Sequence, residues 1–588
     1  MKIEELIAAA RGEVEVDLLL EGADLVNTLS GEVHRADVAI FRGTVVGFDC
    51  SSARETIDLS GRVLAPGFID GHVHIESAMV TVPEYARAVV PRGTTAIVAD
   101  PHEIANVLGT EGIRYIIDSG RSSPLSVYIM LPSCVPATHL ETSGASLDAG
   151  ALSELIGEEG VLGIGEVMNY PGVIFRDPAV LAKISLAGMR RRDGHHPRVD
   201  GHCPLLSGRD LAAYVAAGIE SDHESTTIEE AKEKLRLGMR IMIREGTAAK
   251  NLDDLLPLVT EANSSRFLFV SDDRHPSDII REGHIDSMVK RAGGAGLDPV
   301  VAIQIACLNA AEYFGLSDLG AISPGRRADV VVLDDLDELN VQKVLKEGAV
   351  VAENGRMIVP LSRAPAPRSS SMKVAGLGPG SFDIKAEGDL ARVIGVIPDQ
   401  IITRSLLARP KVEGGRVVAD LDRDLLKIAV VERHRGTGNV GLGLVSGFGL
   451  ARGAIATSIA HDSHNIATVG TSSAEIRRSV SAVKEMNGGL VVVDGGMVVA
   501  SLPLPIAGLL SDRSMEEVAE EIEAVTEAAK DLGSALEDPF MTLSFLCLPV
   551  IPELKLTDKG LVDVNRFDFV PLFVGDGGED EAASFEAR

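Results

Sequence analysis

Eight short apolar stretches, each closing on polar or charged residues, recur along residues 66–319. Their spacing limits the architecture of this 588-residue chain more than any other feature. They read FIDGHVH, TTAIVAD, SVYIMLPS, LGIGEVM, RVDGH, IESDH, RIMIRE and FLFVSD, with amphipathic helical patterns between them. From His72 to Asp272 the repeat averages about 29 residues, the length of one strand-plus-helix unit. Strands apolar along their whole length belong to sheets covered on both faces, which alternation with helices supplies. Even repetition favours a closed α/β barrel of the TIM-like (β/α)8 kind over an open doubly wound sheet.

The flanks follow another rule. Residues 1–65 and 320–362 alternate apolar and polar positions between Gly turns, as in ADLVNTLSGEVHRADVAIFRGTVVGFD and ADVVVLDDLDELNVQKVLKEGAVVAENGRMI. They predict one small β-sandwich domain assembled from both sides of the barrel. A Pro- and Ser-rich linker, SRAPAPRSSSMK, precedes an extra C-terminal α/β domain over 374–588. Its acidic end, GDGGEDEAASFEAR, is expected to fray.

Charge and composition exclude several function classes. Asp+Glu 86 against Lys+Arg 56 leaves a net charge of −30, which disfavours nucleic acid or an anionic membrane as partner of a basic face. No apolar run reaches membrane-spanning length, and no basic segment followed by an apolar one opens the chain, so a cytoplasmic protein is expected. The 5 cysteines are scattered and form no CxxC pair, so neither a disulfide framework nor a thiolate zinc site is expected. The tract GTGNVGLGLVSGFG lacks GK[ST] and is not read as a phosphate loop.

The strand ends carry the chemistry. His72 and His74 lie two apart on the first stretch, so both imidazoles face one side and reach one metal ion. They stand where the C-terminal mouth of a barrel strand belongs, the functional face of this fold. Glu166 emerges from apolar LGIG, where a carboxylate is costly unless paired or metal-bound, and it is placed to bridge two cations. His202, His223 and Asp272 close the fifth, sixth and eighth stretches. Each alone reads as a satisfied histidine or a helix cap; together they put four His and two carboxylates at one end of successive strands. Such a set suits two divalent cations sharing a water that ionises near neutral pH, with Asp272 carrying its proton to a leaving group.

PGFIDGHVH, GEVMNYPG, DGHCP, SDHEST, SDDRHP and the distant AHDSHN together resemble the amidohydrolase superfamily and, within it, the adenine deaminase family, from about residue 15 to the C-terminus. Many amidohydrolases carry a carboxylated Lys on strand four, whereas this chain has Glu166, as adenine deaminases do. The resemblance implies hydrolysis of adenine to hypoxanthine and ammonia. It implies a two-metal site, with Mn2+ or Fe2+ favoured and Zn2+ as an alternative. His72 and His74 would hold one ion and His202 and His223 the other, with Glu166 between them and Asp272 on one ion. Hydroxide attack at C6 requires an acid for N1, and ADPHE after strand two offers Asp100, His102 and Glu103; Glu103 is the preferred donor. Asp100, His102 and Ser77 are assigned to the substrate pocket, with a metal as an alternative partner for His102 and a helix start for Ser77. His461, Asp462 and His464 read either as a structural network or as a cover over the purine. Asp222 reads as an orienting residue or a solvated acid, and Cys203 as packing. Barrels with extra domains commonly assemble, so a homo-oligomer is expected. The rivals are a cyclic-amide hydrolase of the hydantoinase or dihydroorotase type and a non-catalytic barrel scaffold.

Overall fold

The computed structural model describes residues 2–49, 52–189, 194, 196–367, 370–398 and 400–575. Cys50 and most of the acidic C-terminal stretch lie outside them. The chain forms two compact units, one of residues 1–101, 115–133 and 148–364, the other of residues 102–114, 134–147 and 365–588.

In the first unit, all eight apolar stretches form strands: β1 (Phe68–Val73), β2 (Thr94–Ala99), β3 (Ser126–Leu131), β4 (Val161–Val167), β5 (Arg198–Gly201), β6 (Ser221–Asp222), β7 (Arg240–Arg244) and β8 (Phe267–Val270). The first five pair in parallel in the order β5-β4-β3-β2-β1, and the last three as β6-β7-β8. Backbone bonds cross both seams. Glu220 N–H donates to Val199 O at 2.9 Å, and Asp272 N–H to His72 O at 3.0 Å. The parallel sheet is thereby curled, and the apolar runs explain its burial: every residue of β1, β2, β4 and β8 is buried. Gly163 of β4 has no alternative, because a Cβ there would strike the backbone of Arg198 on β5.

Both flanks contribute to one nine-stranded sheet rather than two separate ones. The strand Val16–Asn27 is its centre. Its first half pairs with Ala53–Asp58 and its second with Val63–Pro66, either side of an irregularity between Leu20 and Ala23. Val330–Leu333, from beyond the barrel segment, then pairs antiparallel with Val63–Pro66.

The second unit is built on an eight-stranded sheet, with the helices Ser473–Glu485 and Met515–Asp531 against it. The glycine tract of 436–449 supplies one of its strands, Val440–Ser446, so its glycines serve close strand packing. Gly441, for example, has Thr557 backbone where a Cβ would go. The short helix His102–Leu108 also belongs to this unit.

Candidate active site

The six residues singled out on strand ends of the first unit converge. Glu166 lies at the centre. Its Oε2 is 2.8 Å from His223 Nε2, 3.0 Å from His202 Nδ1 and 3.9 Å from His72 Nε2, while Oε1 is 4.0 Å from His74 Nε2. Asp272 Oδ1 lies 3.2 Å from His74 Nε2 and 3.6 Å from His72 Nε2. The His72 and His223 rings stack with centroids 4.3 Å apart. All six are buried except His202, which is partly exposed.

Strand geometry produces this convergence. His72 and His74 alternate with Val73 and so share a side. Asp70, two residues before His72, accepts His72 N–H at 3.2 Å and Ser271 N–H at 3.1 Å, and the Ser271 hydroxyl also donates to it. Its other face meets His284 Nε2 at 3.1 Å. This carboxylate staples β1 to the end of β8. Asp272 itself has φ 55, a left-handed conformation costly for a residue with a side chain. Two backbone bonds to β1 hold it there, at His72 O and from His74 N–H.

The donor set fits metal ions. Two donors about 2.1 Å from one cation stand roughly 3 to 3.5 Å apart, and most separations in this cluster are near that range. His72 Nε2 is buried and has no hydrogen-bond partner among the described residues. His74 Nδ1 is bonded to Asp100 O at 2.9 Å, which leaves Nε2 facing the carboxylates as a ligand nitrogen should. Three donor groups overlap: His72, His74 and Glu166; Glu166, His202 and His223; and His72, His223 and Asp272. In the protein alone, burial opposes the charge on Glu166 but His202 and His223 outweigh it and hold its carboxyl well below the usual range. For Asp272, burial is likewise outweighed, chiefly by Arg244. Burial pushes the His72 imidazole down toward the neutral, ligating form.

Two residues at this site were not anticipated. Arg244, the last residue of β7, donates to Asp272 Oδ2 at 2.7 Å and to Glu224. Glu224 Oε1 in turn lies 3.5 Å from His202 Nδ1 and 3.4 Å from His223 Nε2. Their signal was present in the sequence: an Arg directly after the apolar run Ile241–Ile243, and a Glu directly after a candidate ligand histidine in SDHEST. Asp222 resolves as an orienting residue. It accepts from Cys203 N–H, Ser225 N–H and the Lys234 ammonium, joining the loops after β5 and β6. Cys203 is buried, with Sγ 3.4 Å from Asp222, and packs rather than ligates. Asp100 accepts from Glu166 N–H through its carboxylate, and Ser77 donates to Asp273.

Glu103 and His102 belong to the second unit, together with His461 and His464. Glu103 Oε1 is 2.7 Å from His461 Nδ1 and 3.4 Å from His102 Nε2, and Oε2 is bonded to His464 Nε2. All four are buried. Asp462 is buried beside Glu141, a carboxyl that burial first and Asp462 second push up to about 8.

The amidohydrolase family model matches residues 63–351, which include all six converging residues. The model of the adenine deaminase C-terminal domain matches residues 400–568. Adenine deaminase from Desulfatibacillum aliphaticivorans is 53% identical over 571 residues, covering 97% of this chain and 99% of that protein. The chain belongs to the adenine deaminase family. Adenine deaminase of Methanothrix thermoacetophila is 55% identical over 575 residues (98% of this chain, all of that protein), and adenine deaminase 2 of Carboxydothermus hydrogenoformans is 50% identical over 574 residues (97% and 99%). The six converging residues lie within the amidohydrolase match, whereas the second cluster draws His102 and Glu103 from that match and His461 and His464 from the match to the C-terminal domain.

Proposed function

We propose that this protein hydrolyses adenine to hypoxanthine and ammonia. One observation carries the reading: four imidazoles and two carboxylates from five parallel strand ends gather within ligand distance of one another in a chain similar to adenine deaminases along 97% of its length. On this reading the curled sheet of residues 66–319 is a closed (β/α)8 barrel, 1–65 with 320–362 its β companion, and 374–588 the domain particular to this family.

His72 and His74 would hold one divalent cation, His202 and His223 the second, with Glu166 shared and Asp272 on the first. The donors are nitrogen and oxygen without thiolate, which suits Mn2+ or Fe2+ and also accepts Zn2+. When bound, the cations lower the pKa of water between them and polarise the bond it attacks. Water supplies both protons the reaction needs. Glu103, ionised at rest, takes the first from the attacking water and delivers it to N1 as C6 becomes tetrahedral. Asp272 takes the second from the new C6 hydroxyl and gives it to the amine, which leaves as ammonia while the C6 carbonyl of hypoxanthine forms. Arg244 fixes Asp272 through Oδ2, so Oδ1 faces the histidines. Ser77, Asp100 and His102 line the adenine pocket, and a cytoplasmic homo-oligomer is the working form.

The test adds adenine to Mn2+-loaded protein and follows the ultraviolet change to hypoxanthine with ammonia release. Turnover supports the reading. Silence with adenine alongside turnover of a cyclic amide such as dihydroorotate, or binding without turnover, overturns it.

A further inference from the structure

The loop 460–465, AHDSHN, is braced from several sides, and its purpose is legible from what it aims. Arg433 is buried in full and spends its guanidinium on backbone: it donates to His464 O, to Ser371 O at 2.8 Å and to Ala507 O at 3.0 Å. His434 Nε2 bonds Ser463 O at 2.7 Å, Asn465 Nδ2 donates to Thr142 O at 2.8 Å, and His461 N–H donates to Ser544 Oγ at 3.2 Å. His464 sits at φ 54, a conformation that costs about 1 kcal/mol or more for a residue with a side chain. A buried guanidinium spent on backbone carbonyls and a left-handed histidine are both expensive. What they secure is the direction of two imidazoles.

Those imidazoles converge on one carboxylate, 361 residues away along the chain in the case of His464. Ala460 N–H donates to His464 Nδ1 at 3.2 Å, so Nδ1 is the lone-pair nitrogen and Nε2 carries the proton that goes to Glu103. His461 presents Nδ1 to the other oxygen at 2.7 Å, its ring stacked on Phe545 with centroids 4.8 Å apart. We propose that His461 and His464 are positioning residues: they grip Glu103 as a pair of imidazole N–H donors, one per carboxylate oxygen, and do not contact the purine. The inference rests on the role given to Glu103 above and extends it to how the group is held. The grip uses one of the two lone pairs on each oxygen, and His102 Nε2 also lies 3.4 Å from Oε1, so the travelling proton is assigned to Oε2. Burial pushes the Glu103 carboxyl up, and the facing His461, His464 and His102 more than reverse this. Without the grip, two of the three groups that oppose burial are gone and the Glu103 carboxyl moves up.

The two rings use different nitrogens, which makes the test specific. A Gln side chain reaches as far as Nε2, and an Asn side chain only as far as Nδ1. The full-length, Mn2+-loaded protein is compared with Glu103→Gln, His464→Ala, His464→Gln, His464→Asn, His461→Ala, His461→Asn and His461→Gln, measuring kcat, KM, the pH profile of kcat/KM and metal per chain. The expected result for His464→Ala is kcat lower by about tenfold or more, KM within about threefold, and an acid limb moved to higher pH. His464→Gln recovers most of that loss and His464→Asn does not; at 461 the pattern reverses. Should His464→Ala fail to fold, the Gln and Asn contrasts carry the same decision. Parent-like kcat in both Ala variants, equal recovery by Gln and Asn, a loss confined to KM, or a third metal ion lost on substituting His464 would each overturn the grip. Glu103→Gln at the parent rate overturns the Glu103 role as well, whereas a slow Glu103→Gln beside parent-like histidine variants overturns the grip alone.

Discussion

Lys234 offers the sharpest test of how the ligand loops are held. Its ammonium has no exposure and donates to Asp222 Oδ2 at 2.8 Å, Glu230 Oε1 at 2.7 Å, Cys203 O at 2.9 Å and Ser225 Oγ at 3.2 Å. Asp222 is equally buried. Between them they tie the loop after β5, which carries His202, to the loop after β6, which carries His223. Lys234→Met preserves the length of the apolar stem but leaves Asp222 as a buried anion without its cation. Breaking a buried pair from one side costs about 3–5 kcal/mol. Asp222 keeps N–H donors from Cys203, Glu224 and Ser225, so the lower end of that range applies. At about 2 °C per kcal/mol for a unit of this size, the first unit should melt roughly 6 °C lower. Thermal unfolding of the metal-free protein reads this directly. Chelator competition on the loaded protein should also show faster metal loss, because His202 and His223 are no longer held in register. The double variant Asp222→Asn/Lys234→Met removes both charges and should regain at least half of the lost stability. A shift below about 2 °C for Lys234→Met, or a double variant that falls by the sum of the single changes, would refute the pairing argument.

Three further outcomes are expected. Asp272→Asn keeps an oxygen near His72 and His74 but cannot carry a proton, so metal analysis should find both ions while turnover drops by about 10²-fold or more; near-parent turnover contradicts the proton role. Glu166→Gln weakens a carboxylate that lies within 4.0 Å of all four histidines, so fewer than two metals per chain should be recovered after gel filtration, and two retained ions count against the shared ligand. The Glu141 carboxyl, raised from 4.5 to about 8, binds its proton more tightly in the folded state, so it contributes stability that is full below pH 4.5 and lost as pH climbs to about 8. Melting temperatures should therefore fall across that window, and Glu141→Gln, neutral at every pH, should flatten the slope; an unchanged slope speaks against the buried neutral acid.

Much of the candidate site was legible because its signals are local. A run such as FIDGHVH states its own burial, direction and side-chain alternation, and the repeat of about 29 residues orders such runs in space. The same reasoning missed Arg244 and Glu224, whose meaning depends on partners 28 and 20 residues from Arg244 along the chain. The flanks, expected as one β domain, meet in a single nine-stranded sheet, in which Val16–Asn27 pairs with different neighbours on either side of its irregularity.

From the amino-acid order alone follow the eight strands, the end of each that carries polar groups, and the chemical nature of the ligand set. Hydrophobic periodicity and the pleat of a strand are properties of a few consecutive residues, so no knowledge of the folded chain is needed to read them. Folding alone determined which charge faces which: Arg244 on Asp272, Lys234 on Asp222, and two imidazoles on Glu103. Such pairs form between residues that are neighbours only once the backbone has closed. Their energy comes from exclusion of water, which no stretch of sequence possesses by itself.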